Sequence, residues 1–193
     1  LADRVGAQRI VIGSLVAGGL LLIPQAFVTN QWQLIGLRFV MGLADIMVEQ
    51  GRYADAEKLV RVAIDINRTI GVTPEAYSSV QLLSQLGSIL NFQRKYEDAI
   101  AVYAEIDKAI ANWDPQRRQA FEINGSRVTS LYASGQTEAG IAVAQQLVKR
   151  AAGRSGDQHF DTASARGFLA YGLMLAGRDD EALREFKAAI PVM

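Results

Sequence analysis

The sequence predicts an all-α fold, an α-solenoid of about four helix–turn–helix repeats preceded by an apolar, transmembrane-like helix. Three observations predict it. Apolar residues recur at three- and four-residue steps along most of the chain, the period of amphipathic helices, while strand-like alternation is scarce and only four prolines interrupt 193 residues. One short helical hairpin returns at a nearly fixed interval. The apolar excess, half of all residues against 21% charged, is concentrated near the start.

Composition narrows the function classes before any motif is read. The 20 basic and 20 acidic residues cancel, so no global basic field favours nucleic acid as a partner. With no cysteine, disulfides, thiolate metal sites and cysteine nucleophiles are excluded.

The first element is the run Ile10–Val28, IVIGSLVAGGLLLIPQAFV, in which only Ser14 and Gln25 are polar. Its 19 uncharged residues approach the length needed to cross a bilayer. Gly13, Gly18, Gly19 and Pro24 weaken a helix in water but are tolerated in lipid, where they permit close helix packing. Trp32 then opens a second apolar run, to Val48, with Arg38 in its middle. Arg4 and Arg9 precede the first run, Arg52, Lys58 and Arg61 follow the second, and the loop between is uncharged. That pattern places both ends in the cytoplasm and predicts membrane association through residues 10–28. The alternative is a wholly buried helix of a soluble fold.

Within this region LADRVGAQR, with Leu1, Ala2, Asp3, Arg4, Gly6 and Arg9, resembles the loop motif between the second and third spans of major facilitator superfamily transporters. LIGLRFVMGLA, with Leu34, Arg38 and Gly42 in place and Met41 and Ala44 departing, resembles the fourth-span motif of drug–proton antiporters. The resemblance covers about 45 residues and implies a proton-coupling role for Arg38. It does not imply transport by this chain, because two spans cannot build a translocation path.

The repeating element is clearest from Leu83 to Tyr103, where Leu86-Gly87 in one helix and Ala99 in the next flank a polar break at Gln93-Arg94-Lys95. Its kin are EQGRYADAEKLV, ASGQTEAGIAVA and LAGRDDEALREF. The equivalent positions Tyr53, Tyr96, Thr137 and Asp179 recur at a nearly constant step of about 42 residues, within the range of helical-repeat arrays. A fixed period with one helical hairpin per unit is the mark of a solenoid. Gly71-Val72-Thr73-Pro74, Asn112-Trp113-Asp114-Pro115 and Gly153-Arg154-Ser155-Gly156-Asp157 supply turn and cap chemistry between units.

These units resemble tetratricopeptide repeats, whose signature is Leu-Gly in the first helix and Ala, aromatic, Ala in the second. Leu86, Gly87, Ala99 and Tyr103 match in the second unit, and Leu169, Ala182, Phe186 and Ala189 in the fourth. The first has Val60 at the aromatic position, and the third is degenerate. The spacing exceeds the usual length of about 34 residues. It is similar to that of the longer repeats of kinesin light chains and of bacterial proteins with a C-terminal CHAT domain. The expected organisation is a transporter-like hairpin over residues 1–37 and a repeat domain over 38–193, with units at about 38–70, 78–111, 118–152 and 160–193. At about residues 38–45 the stretch LRFVMGLAD, which starts at Leu37, fits either part, which reads as a junction in a composite or excerpted chain.

Candidate chemistry is sparse. His159 is the single histidine and, with no cysteine beside it, reads as a loop residue and not a zinc ligand. Asp179-Asp180-Glu181 at a helix start suit capping and dipole compensation better than paired acid–base catalysis. Arg117-Arg118 is too small a cluster for nucleic acid. Gly18-Gly19 lacks a phosphate-loop ending, and Gly125-Ser126 lacks a nucleophile elbow. The expectation is a non-enzymatic scaffold with no cofactor and no metal. In the resemblance, the first helices of the repeats line a concave groove that holds a protein or peptide partner. Carried onto this chain, that groove contains Ser84, Ser88, Asn91, Thr129, Tyr132, Tyr171 and Met174. The expected location is cytoplasmic, with a tether to the inner face of a membrane. The alternative function is a fragment or fusion of a proton-coupled efflux transporter.

Overall fold

A computed structural model describes residues 31–190. The apolar run Ile10–Val28 and the motif residues Asp3, Arg4, Gly6 and Arg9 lie outside the described residues.

Among the described residues the chain forms nine α-helices: α1 (Gln31–Glu49), α2 (Tyr53–Thr69), α3 (Tyr77–Phe92), α4 (Tyr96–Ala109), α5 (Pro115–Glu122), α6 (Gly125–Ala133), α7 (Thr137–Ser155), α8 (Phe160–Leu175) and α9 (Asp179–Ala189). They pair as α1/α2, α3/α4, α6/α7 and α8/α9. The four sequence markers Tyr53, Tyr96, Thr137 and Asp179 are the first residues of α2, α4, α7 and α9.

The same backbone device ends the first helix of every pair. Gly51, Arg94, Gly135 and Gly177 each adopt a positive φ, between 61° and 74°. The amide of each donates to the carbonyl three residues back, and the next amide donates to the carbonyl five residues back, as in Arg52 N to Met47 O at 2.8 Å and Arg178 N to Leu173 O at 2.9 Å. This is the Schellman stop, and the left-handed residue it needs is ordinarily glycine. Arg94 alone takes that conformation with a side chain, at a cost of roughly 1 kcal/mol.

The third unit departs from the expected two-helix pattern, because its first helix is split. Asp114 caps α5 by accepting from Arg117 N at 2.9 Å, with Pro115 in the first turn. Ile123 then turns extended, and Asn124 caps α6 by accepting from Arg127 N at 2.9 Å. The same Asn124 donates back to Phe121 O at 3.0 Å. Arg150 reaches Gln119 O and Ile123 O, and Arg127 reaches Glu122 O. Cations thus satisfy the carbonyls exposed at the C-terminus of α5.

Two clusters of buried apolar side chains hold the array. One runs from Ala44 through Val60, Leu82, Leu86 and Tyr103 to Phe121, and the other joins Val128, Tyr132, Ile141, Leu169, Leu173 and Ala182. Gly87 admits the ring of Tyr103, since a Cβ there would stand 2.8 Å from its edge.

The run from Trp32 to Val48, expected from hydropathy to be a second membrane-like span, is instead the first helix of the array. Ala44 is fully buried in the first core cluster, with Val40, Met41, Met47 and Val48 packed against it. Gln85 of α3 donates to Met41 O and to Asp45 Oδ1, tying α1 to the next unit. No helix among the described residues is long and apolar enough to cross a membrane. An apolar stripe serves a protein neighbour as well as a lipid one, and here the neighbours are α2 and α3. The boundary expected between residues 37 and 38 falls inside α1.

Candidate partner-binding face

The first helices of the units touch in succession, α1 to α3, α3 to α6 and α6 to α8. The second helices α2 and α4 reach one another through long side chains, such as the Arg68–Glu105 ion pair at 3.1 Å. The row of first helices is therefore the more closely spaced side, and all seven candidate groove residues lie on α3, α6 and α8.

They fall into two groups. Asn91 and Tyr132 are occupied within the protein. The Asn91 amide donates to Ser126 O at 2.7 Å and to Ser130 Oγ at 2.9 Å, bridging α3 to α6. Tyr132 is buried, donates its hydroxyl to Phe168 O at 3.1 Å, and so bridges α6 to α8. Loss of hydration pushes its phenol up to about 12. Gly140 and Gly172 make room for the ring, as a Cβ at either would overlap it.

Ser84, Ser88 and Thr129 are half-buried, and Tyr171 and Met174 are exposed. Thr129 donates to Gly125 O within its own helix. Around Thr129, Tyr132 and Tyr171 the structure forms an open cleft of about 380 Å³, completed by Ala163, Ser164, Gly167 and Phe168. Tyr132 and Tyr171 meet edge to face, with ring centroids 5.9 Å apart. Ser164, Gly167 and Phe168 were not among the sequence candidates. The signal was available, because they precede Tyr171 by three to seven residues on one helix and so share its face.

Elsewhere the singled-out residues take local roles. His159 caps α8, its Nδ1 accepting from Asp161 N at 3.1 Å. Asp179, Asp180 and Glu181 occupy the first turn of α9 without a side-chain cap, and a hydrogen bond from Arg178 holds the Glu181 carboxyl below its ordinary range. Arg117 lies over the Trp113 ring at 4.1 Å, against the cluster of Tyr77, Trp113 and Phe121. Arg38 and Gly42 are exposed on α1 among the described residues. Among the described residues no group of three or more His, Cys, Asp or Glu could hold a metal ion.

No family model matches the chain. Among solved structures the chain is similar to BtubC (BKLC) from P. vanneervenii, at 16% identity and a TM-score of 0.65, over 83% of this chain and 64% of that one. The nearly identical TPR-like repeats of a Podosopora anserina putative kinesin light chain align at 15% identity and a TM-score of 0.45, over 81% of this chain and 94% of that one. The likeness to BtubC is one of fold, and the described residues form an all-helical solenoid of repeated hairpins. Over 45 residues the chain is 51% identical to the multidrug resistance protein MdtG of Dickeya zeae (strain Ech586) and 53% identical to that of Serratia proteamaculans (strain 568). Those 45 residues are 23% of this chain and 11% of each relative, consistent with the transporter-like segment.

Proposed function

We propose that this chain is a non-enzymatic protein–protein interaction scaffold that holds a peptide or an amphipathic helix along its row of first helices. The TPR-like fold supports a scaffold. The observation that carries the groove is the cleft between α6 and α8, with Tyr171 standing at its open side and Tyr132 behind it. A partly exposed aromatic beside a pocket is the usual anchor of a protein interface. None of the seven lining residues is charged, so apolar anchors of a helix or extended peptide suit it better than a terminal carboxylate.

The test is a binding screen of the full chain against amphipathic and extended peptides, followed by substitution. Tyr171→Ala with Met174→Ala should weaken a captured peptide about tenfold or more without altering the circular dichroism. Unchanged binding in that variant, or equal loss on Lys149→Ala on α7, would move the partner elsewhere.

The proposal includes a cytoplasmic location, to be checked by cell fractionation. A second reading, a fragment or fusion of a proton-coupled efflux transporter tethered at a membrane, is favoured by the 45-residue identity to MdtG. Recovery of the chain in the membrane fraction would support it.

A further inference from the structure

Splitting the first helix of the third unit leaves a cleft beside the fourth. The helix α8 runs sixteen residues, as α3 does, but α6 has only nine. Ser126 and Phe168 lie one repeat interval apart, so Phe160 and Ser164 stand level with Arg118 and Glu122. Those two residues belong to α5, which ends at the extended Ile123, and they line a separate cleft beside α4. The start of α8 therefore lacks the first helix that the repeat would set opposite it. In that place is a cleft of about 340 Å³, bounded by the start of α6, the last turns of α7 and the start of α8.

Much of its lining is apolar. Ile123, Ala151 and Ala165 are at most 7% exposed, Leu147 and Phe168 are half-buried, and Phe160 is 62% exposed. Against this surface the cleft carries two arginines and one aspartate. Arg154 is matched, meeting Asp161 at 2.9 Å. The half-buried Arg150 donates Nη1 to Gln119 O at 2.7 Å and to Ile123 O at 3.3 Å, both uncharged carbonyls. One positive charge thus remains without a counter-charge in the cleft, and the rest of the guanidinium fork suits a carboxylate.

The size and the lining decide the kind of ligand. Small-molecule sites span about 300–1,000 Å³ and combine apolar walls with a few convergent polar groups. A peptide backbone would need partners for its own amides and carbonyls. Here Asn124 already uses its side chain on two caps and Asp161 is held by Arg154.

We propose that this cleft binds a small amphiphilic monocarboxylate, an aliphatic or aryl acid, with its carboxylate on Arg150 and its body against Leu147, Phe160 and Phe168. The site is separate from the partner cleft at Tyr171, with which it shares only Ser164 and Phe168.

The test is isothermal titration calorimetry of the full chain with octanoate, decanoate and 2-naphthoate, all below micelle formation. At least one acid should bind saturably with one site per chain. The matching alcohol, with the same body and no charge, should bind at least tenfold more weakly. Arg150→Gln should weaken the acid by a similar factor. Because Arg150 also holds α5, Leu147→Trp serves as a second variant; it fills the cleft, keeps Arg150 and should abolish binding. Circular dichroism verifies that both variants are folded. Tyr171→Ala, which alters only the neighbouring cleft, should leave the affinity unchanged. The proposal is overturned by absence of saturable binding for all three acids, by equal binding of the alcohol, by binding that survives Leu147→Trp, or by loss on Tyr171→Ala. Arg150-dependent capture of an acidic peptide, with none of the acids binding, would give the cleft to a protein partner instead.

Discussion

The junction between the second and third units and that between the third and fourth make one contact with different chemistry. Asn91 and Tyr132 occupy the same position in successive units, one repeat interval apart, and Ser126 and Phe168 are equivalent in the same way. In each junction the side chain from the last turn of one first helix donates to the same carbonyl of the next, Asn91 to Ser126 O and Tyr132 to Phe168 O. The residue one turn further along adjusts to fit. Ser130 accepts a second bond from the small Asn91, whereas Gly172 leaves space for the ring of Tyr132. The hydrogen bond sets the register between units, and side-chain volume is traded across it. One junction is a small polar lock; the other is an aromatic plug.

This contrast can be broken most forcefully at Gly172. A Cβ there would overlap the Tyr132 hydroxyl, so Gly172→Ser should cost about 3 kcal/mol of stability in urea unfolding, at the upper end for overpacking. Combining it with Tyr132→Asn, which recreates the polar lock, should cost less than the two single changes added together. Strict additivity would show that the two positions are not exchangeable.

Asn91→Ala should cost about 1–2 kcal/mol, the loss of a partly buried hydrogen-bonded group. Hydrogen exchange should then show α6–α9 opening separately from α1–α4; uniform loss of protection would argue against a junction that can part.

The smallest effect belongs to the first junction, where charge takes part. Burial raises the pKa of Glu57, but hydrogen bonds from Lys95, Gln93 and Arg61 outweigh it and bring the carboxyl from 4.5 down to about 2. Because the folded pKa is the lower, the stabilisation is present above pH 4.5 and is lost as pH falls toward 2. Glu57→Gln should flatten the acid limb of a stability–pH curve between those values. The cost at neutral pH should be about 1 kcal/mol, discounted for solvent screening.

Much of the fold was legible because its markers are local. The residues that open α2, α4, α7 and α9 stand at the turn itself, and Gly51, Gly135 and Gly177 announce the left-handed stops. Arg94 does not announce one, since its conformation is imposed by the helices on either side. The split of the third first helix was missed although Asn124 carries both of its caps, because a cap and a mid-helix asparagine look alike until a neighbour such as Arg150 takes the freed carbonyls. The groove register put Asn91 and Tyr132 on first helices, where each bridges to the next unit. Whether such a residue meets a ligand or the next unit depends on packing between units, which periodicity does not encode. The apolar run over α1 misled for a related reason: hydropathy records that a side chain avoids water, not what replaces the water.

The four Schellman stops bear on how the chain folds. Each closes through bonds spanning no more than five residues, so every hairpin can form its turn before any contact between units exists. Low sequence separation of contacts favours rapid folding, and a linear array can nucleate at any unit and grow outward. The third unit should be the slowest to close in that scheme, because its split first helix is stitched by Arg150 from α7. Growth from either end should therefore pause there until both of its helices are in place.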